Sequence, residues 1–514
     1  MSSRLLSLSF GMNRGLQGAL VLAMAAGAAH AVVVPAVKIA EQGGSVEGIA
    51  GSVIDSLTEP STDAAGRVGY GATLTGSSEV VIAVRGRGPI FRSSAVMTHT
   101  FSGIEDSIAI AANGDAFVFS SSIGIGAGAR TDGIWTSSGF LCNQTLPAFS
   151  IANRWLKASS GPIMGENTNF AWISSLSSTL GGVTLPERAL FTSPNPSSTP
   201  APQLFTGQSV LARNGITQLP LSNNPGPDIS FDHDISQDGN SRANTLRVLK
   251  PGQAASTQIV TIAGIEVASV GDLFTTGPFA GSAIQSFTGV SINNAVGETS
   301  PDLLTMGGLA TGIGFVAVNG ETVMVASQTY AGIPLTTPAT VRLAGLDNSG
   351  RFGAVWNYLD AESGTSKQTA FVGPIDGSSP VVAVITSGDQ LDFTGDGVAD
   401  ANVVSIPGPI ARSWDLADDG FIYLTLQITD IGSTVTRDAI VGFSIGVVVA
   451  GCDDIDFNNN EVFPEDQDVI DFFDVLAGAE CPACNDIDFN NNTVFPEDQD
   501  VIDFFNVLAG GECS

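Results

Sequence analysis

Two short loops near the C-terminal end carry side-chain oxygens at alternate positions. Asp456, Asn458 and Asn460 form one set; Asp488, Asn490 and Asn492 form the other. Oxygens at i, i+2 and i+4 of a tight loop converge on one point, as a Ca2+ ion requires. An acid downstream in each copy, Asp468 or Asp500, is placed to close the shell. A third loop, Asp392, Thr394, Asp396 and Asp400, reads D-x-T-x-D-G-x-x-D, with Gly397 where the backbone must turn. Each loop has an ion-free alternative: an acidic hairpin in the tail, and an Asp-organised turn at 392–400.

Four cysteines frame the tail loops: Cys452, Cys481, Cys484 and Cys513. In an oxidising compartment, cysteines at matched spacing read as disulfides. The simplest pairing is Cys452–Cys481 with Cys484–Cys513. Two other pairings stay open, and a four-cysteine zinc site is the alternative to any bridge. Cys142 is left over as a free thiol expected in the core.

Catalytic signals are sparse. His233 lies between Asp232 and Asp234, a metal or acid–base arrangement whose plain alternative is a surface turn; His99 stands alone. Gly442-Phe-Ser444-Ile-Gly446 has the G-x-S-x-G form, but an apolar run follows instead of a helix, and no His comes after it. There is no H-E-x-x-H and no G-K-[ST]. With 51 acids in the chain, no carboxylate pair for glycoside cleavage stands out. No catalytic or cofactor-binding residue is assigned.

The tail loops belong to a duplicated element. "CDDIDFNNNEVFPEDQDVIDFFDVLAGAEC" and "CNDIDFNNNTVFPEDQDVIDFFNVLAGGEC" agree at 26 of 30 positions. Pro464 and the acids after it suit the first turn of a helix. Val469, Phe472, Phe473 and Leu476 fall on one helical face, and Gly478 ends it. One such unit is too small to bury its own apolar face. Two pack Phe472 and Phe473 against Phe504 and Phe505 about a pseudo-twofold. The loop–helix pair resembles the type I dockerin, and also the Cys-bounded acidic tails of exported planctomycete proteins. The dockerin resemblance implies EF-hand-like Ca2+ binding and docking to a cohesin-like or other surface protein. Glu461 and Thr493 stand where the family has Gly, Asn460 and Asn492 where it has Asp, and Asp468 and Asp500 fall one residue late. Weak Ca2+ affinity is the expectation.

The body that must carry this tail, residues 32–450, has a fainter repeat. Small or polar turns precede alternating apolar runs near Gly66, Gly114, Asn167, Gly239, Gly297, Gly350 and Gly420. A turn feeding a strand about every 60 residues predicts a mainly β fold, a β-propeller of about seven blades. The pattern resembles exported bacterial tandem-repeat proteins whose unit is N-x-x-G-x-x-A-F. Asn294 and Gly297 carry the first half, and Ala116 and Phe117 the second. Residues 439–451 read as the last buried strand.

Residues 1–31 have Arg4 and Arg14, an apolar run at 20–29 and Ala29-His30-Ala31, the pattern of a secretory signal. No other stretch is long and apolar enough for a membrane helix. The net charge is −31, and the segment from Cys452 to Cys513 holds seventeen acids with no Lys or Arg, which leaves −14 on the rest. That balance excludes a nucleic-acid partner, whose phosphates need cations. The segments expected are a signal (1–31), a propeller (32–450) and an acidic tail (451–514). The protein is expected to be periplasmic, cell-surface or extracellular. Its expected role is non-catalytic binding or scaffolding, with a surface protein or polysaccharide as partner. The rival is a secreted carbohydrate-active enzyme tethered by its tail.

Overall fold

The computed structural model describes residues 32–445 apart from short internal stretches, the longest 144–155, and part of the C-terminal segment between 457 and 508. The chain divides into a large unit, residues 31–445, and a second unit that contains 446–514.

The large unit is a β-propeller. Six blades are each built from one contiguous stretch of chain: residues 54–92, 100–143, 156–205, 209–269, 284–325 and 340–386. Their middle strands are buried on both faces, because each sheet is sandwiched between two neighbours. In the first blade, every residue of Val68–Leu74 and Val80–Val84 is buried. This is why "VGYGATL" and "VVIAV" read as almost unbroken apolar runs and not as an in–out alternation.

A further sheet is composite. Strands Trp414–Leu416, Phe421–Asp430, Thr436–Ser444, Gln390–Asp392 and Ala401–Ser405 come from the end of the unit, while Val33–Pro35 and Val37–Glu41 come from its beginning. Val37–Glu41 runs antiparallel to Thr436–Ser444, and Val33–Pro35 runs parallel to Gln390–Asp392. Arg437 reinforces the seam by donating to Glu41 at 2.8 Å.

Apolar clusters fill the space between successive sheets. Ile82 and Val84 meet Phe119 and Trp135. Val118 and Ile134 meet Trp172 and Phe191. Ile173 and Leu190 meet Leu246 and Ile259. Val260 meets Phe287 and Phe315. Val316 and Met324 meet Trp356 and Phe371. Val355 and Ala370 meet Leu424 and Val441 of the composite sheet. Ile440 and Ala40 of that sheet meet Tyr70 and Val81 of the first blade, so the set of clusters closes on itself.

The recurrent turn has one address. Gly66, Gly114, Asn167, Gly239, Gly350 and Gly420 all lie in the link between the innermost and second strands of their sheet; Gly297 lies outside the described residues. Five of the six links share a closing bond: Asp63 N to Arg67 O, Gly165 N to Asn169 O, Ser236 N to Ser241 O, Asp347 N to Arg351 O and Ala417 N to Phe421 O. Gly239 shows why the position wants glycine. Its φ is +72°, and a Cβ there would sit 1.9 Å from Asn167 Oδ1 of the neighbouring link.

In the C-terminal unit, Asp466–Leu476 is a helix, and residues 501, 502, 504, 505 and 508 are helical too. Phe472 and Phe504 stack at 4.1 Å, Phe473 and Phe505 lie 6.0 Å apart, and Phe457 and Phe489 complete a buried aromatic cluster. The cysteine pairing differs from the simplest expectation. Cys481 is bonded to Cys484, with Cα atoms 5.3 Å apart. Cys484 N donates to Cys481 O at 3.1 Å, and this brings the two side chains within bridging range. Cys452 and Cys513 lie outside the described residues. So do 1–31 and 446–456; the described final strand of the body is Thr436–Ser444.

Candidate functional site

The link that starts each second strand also fixes what faces the middle of the ring. A cavity of about 520 Å³ is walled by residues from all six blades and the composite sheet: 59–63, 108–109, 162–164, 234–235, 288–293, 341–348 and 414–418. Its polar wall holds six acids, Glu59, Asp63, Asp234, Asp347, Asp415 and Asp418, and one base, Arg342.

The five Asp carboxylates are held by neighbouring donors, and the donors often come from a different sheet. Asp415 Oδ2 accepts from Thr62 N at 2.6 Å and Thr62 Oγ1 at 2.9 Å, which joins the composite sheet to the first blade. Asp234 Oδ2 accepts from Ser291 Oγ at 2.9 Å and Ile292 N at 3.0 Å, which joins the fourth blade to the fifth. Asp418 accepts from Asn348 N at 2.7 Å and Asn348 Nδ2 at 3.0 Å, which joins the composite sheet to the sixth blade. Asp63 and Asp347 serve their own links. Asp347 Oδ1 accepts from Ser349 N and Arg351 N, and its Oδ2 from Arg351 Nε at 2.5 Å. Asp63 repeats that pattern with Ala65 and Arg67. The shared local form is Asp-x-x-Gly-Arg, at 63–67 and at 347–351.

Burial raises two of these carboxyls. Asp415 is enclosed by protein, with one side on the cavity, and desolvation pushes its pKa up to about 6. Thr62's hydrogen bonds oppose the rise, and the charges of Asp418 and Asp234 add to it. Asp347 is also raised, by desolvation that outweighs the pull of Arg351.

Among the described residues, one aromatic lines the cavity, Trp414. It occupies a slot made by two glycines paired across strands, Gly345 and Gly353. A Cβ on Gly353 would approach the indole to 2.5 Å, and one on Gly345 to 3.2 Å.

Among the described residues, the metal ligands expected from the sequence lie elsewhere. Asp392 ends strand Gln390–Asp392 and is buried. Its carboxylate accepts from Thr394 N, Thr394 Oγ1, Gly395 N and Gly397 N. Burial works to raise Asp392, but those N–H groups outweigh it and hold the carboxyl below its ordinary range. Asp400 Oδ2 caps Phe393 N at 2.8 Å, and Asp396 Oδ1 caps Val398 N at 2.9 Å. In the tail, Asp468 is fully buried in the helix, and Asn458 Nδ2 donates to Asp471 at 2.9 Å. Asp456, Asn460, Asp488, Asn490, Asn492 and Asp500 lie outside the described residues, as does His99. Among the described residues, no group of three or more His, Cys, Asp or Glu is arranged for a metal. His233 is not on a surface turn: it is 2 % exposed within strand Ile229–Ile235, while the next residue, Asp234, reaches the cavity. Cys142 falls in strand Gly139–Asn143. Ser444 ends its strand and is exposed.

The sequence reading missed Glu59, Asp347, Asp415, Asp418 and Trp414. A signal was present for two of them, Asp347 and Asp415, and for the wall acids Asp63 and Asp234 as well. Asp63 and Asp347 stand three residues before the turn glycine, and Asp234 and Asp415 five before it.

Among known proteins, no family model matches the chain, and no curated protein matches it. Solved structures give distant likenesses. Prolyl oligopeptidase B from Galerina marginata has 11% identity and a TM-score of 0.38 over 75% of this chain and 51% of its own. The acylaminoacyl peptidase of Pyrococcus horikoshii has 10% identity and a TM-score of 0.37 over 75% of this chain and 50% of its own. The Aleuria aurantia lectin has 8% identity and a TM-score of 0.25 over 66% and 97%. The chain thus spans about half the length of each of the two peptidases.

Proposed function

We propose that this chain is an exported, non-catalytic binding or scaffolding protein. Its propeller takes a small polar ligand, or the tip of a larger one such as a polysaccharide, in the central cavity. Its tail tethers it to a surface component and binds Ca2+ weakly. In this reading the composite sheet is the seventh blade, and the antiparallel pairing of Val37–Glu41 with Thr436–Ser444 closes the ring. The observation that carries the binding role is the anchoring of the wall acids. Asp234, Asp415 and Asp418 each accept from donors on an adjacent sheet, which holds their carboxylates at fixed points around the cavity. Fixed acceptors beside Ser291, Thr62 and Trp414 suit hydroxyl-rich or cationic groups. A direct test is a thermal-shift screen of the full chain against oligosaccharides and small amines, repeated with Asp234→Asn. A hit lost in the variant supports the cavity; hits indifferent to Asp234 and Trp414 substitutions refute it.

The Ca2+ part rests on the alternate oxygens of the two tail loops and on the complete burial of Asp468 beside them in sequence. Isothermal titration of the full chain should give a Ca2+ dissociation constant on the order of 10⁻⁴ to 10⁻³ M, lost when Asp456 and Asp488 become Ala. Binding that survives both substitutions refutes the tail sites.

A second reading, a carbohydrate-active enzyme, is favoured by one observation. Desolvation pushes Asp415 up to about 6, and the charges of Asp418 and Asp234 add to the rise, the direction in which a general acid is shifted. Release of reducing sugar that Asp415→Asn abolishes would establish this reading over the binding one.

A further inference from the structure

Among the described residues, the tail unit exposes four large apolar side chains at equivalent places in its two copies. Ile470 and Ile502 are each 50% exposed, and Phe473 and Phe505 are each 41% exposed. Ile470 and Phe473 are one helical turn apart, as are Ile502 and Phe505, so each pair shares a face. The rings of Phe473 and Phe505 lie 6.0 Å apart, which joins the two pairs into one patch. Beneath them Phe472 stacks on Phe504, so the patch is the open side of the aromatic core. Asp474, also exposed, stands at its edge.

We propose that this patch is the docking face for a basic, amphipathic segment of a partner protein. Charge decides the occupant. The segment from Cys452 to Cys513 holds seventeen acids and no Lys or Arg. A second copy would bring seventeen more like charges against the same face, and an anionic lipid surface would be repelled in the same way. A segment with Leu or Ile on one side and Lys or Arg on the other covers the Phe and Ile side chains and neutralises the acidic rim in one step. The inference deepens the tethering role proposed for the tail and rests on it.

The test uses the full chain and a synthetic Lys/Leu helical peptide of about 18 residues, long enough for an apolar stripe of several turns. Its control is the scrambled isomer, with the same composition and no stripe. Fluorescence anisotropy is read at about 50 and about 500 mM NaCl, on either side of strong screening. Two paired variants are compared, Phe473→Ser with Phe505→Ser, and Ile470→Gln with Ile502→Gln. The second pair retains helix-forming residues at the most exposed positions, so it reports even if the first disturbs the core. The striped peptide should bind roughly tenfold more tightly than the scrambled one, and each paired variant should lose roughly that factor. Equal binding of the two peptides, or undiminished binding by the Ile→Gln pair, overturns the proposal. So does a concentration-dependent dimer in sedimentation that the same substitutions abolish, because the occupant would then be a second copy. The tethering role has its own readout, retention at the cell surface with and without residues 446–514. Tail-dependent retention with no stripe preference removes this inference alone; retention without the tail removes the tethering role.

Discussion

At the scale of single residues, Asp415 is the most informative group. Its folded-state pKa is raised from 3.8 to about 6, chiefly by desolvation. Folding therefore favours its protonated form. Its contribution to stability is fully present below pH 3.8 and is lost as pH rises through about 6. A shift of that size corresponds to about 3 kcal/mol across the window. Asn at this position can still accept from Thr62 N and Oγ1 but cannot ionise. The urea midpoint of Asp415→Asn should therefore fall less than the parent's between pH 5 and pH 8; identical slopes would contradict the assignment. Little of this was legible in the sequence. Asp415 is one of 51 acids, and what distinguishes it is the arrival of Thr62 from a blade 353 positions away. Asp392 shows the converse. Its D-x-T-x-D-G spacing was plain, and the structure reveals how completely that spacing serves the loop's own N–H groups.

At the scale of elements, the interlocking links make separable predictions. Gly239 and Gly350 have nearly equal φ, +72° and +74°, but a Cβ on Gly239 meets Asn167 while Gly350 faces open space. Gly350→Ala should cost only the left-handed backbone penalty, about 1–2 kcal/mol. Gly239→Ala should cost more, and Asn167→Ala in the same chain should recover part of the excess. Chemical denaturation of the three variants decides this; equal losses would mean that the links do not dock. In the glycine-paired slot, Gly353→Ala should displace Trp414, to be seen as a shift in its fluorescence with the tryptophan-free fold signal unchanged. An unshifted spectrum would mean that the slot has slack. The links were the most legible part of the chain, because a turn glycine before an apolar run is local information. Blade assignment was harder, since strands buried on both faces lose the alternation that marks a surface strand. In the tail, the Phe472 and Phe504 pairing followed from helical spacing. The contributions of Phe457 and Phe489 did not, because they sit in the loops.

At the scale of the whole propeller, closure depends on the first described strands. Removing residues 32–41 strips Val37–Glu41 from Thr436–Ser444 and leaves a long apolar strand edge open. Such edges recruit other chains. The truncated protein is expected to aggregate on expression or elute as an oligomer, and a well-behaved monomer of unchanged melting temperature would show that the seam is dispensable. The same seam governs the timing of folding. Glu41 must wait for Arg437, 396 positions later. At the usual 5–20 residues per second, that wait is about 20–80 s of synthesis. Throughout it the early strands are made and cannot pair. A nascent chain in this state is exposed to proteases and to misplaced strand partners. The protein's most hazardous interval is therefore its own manufacture, and a holding chaperone should matter more to its yield than any gain in final stability.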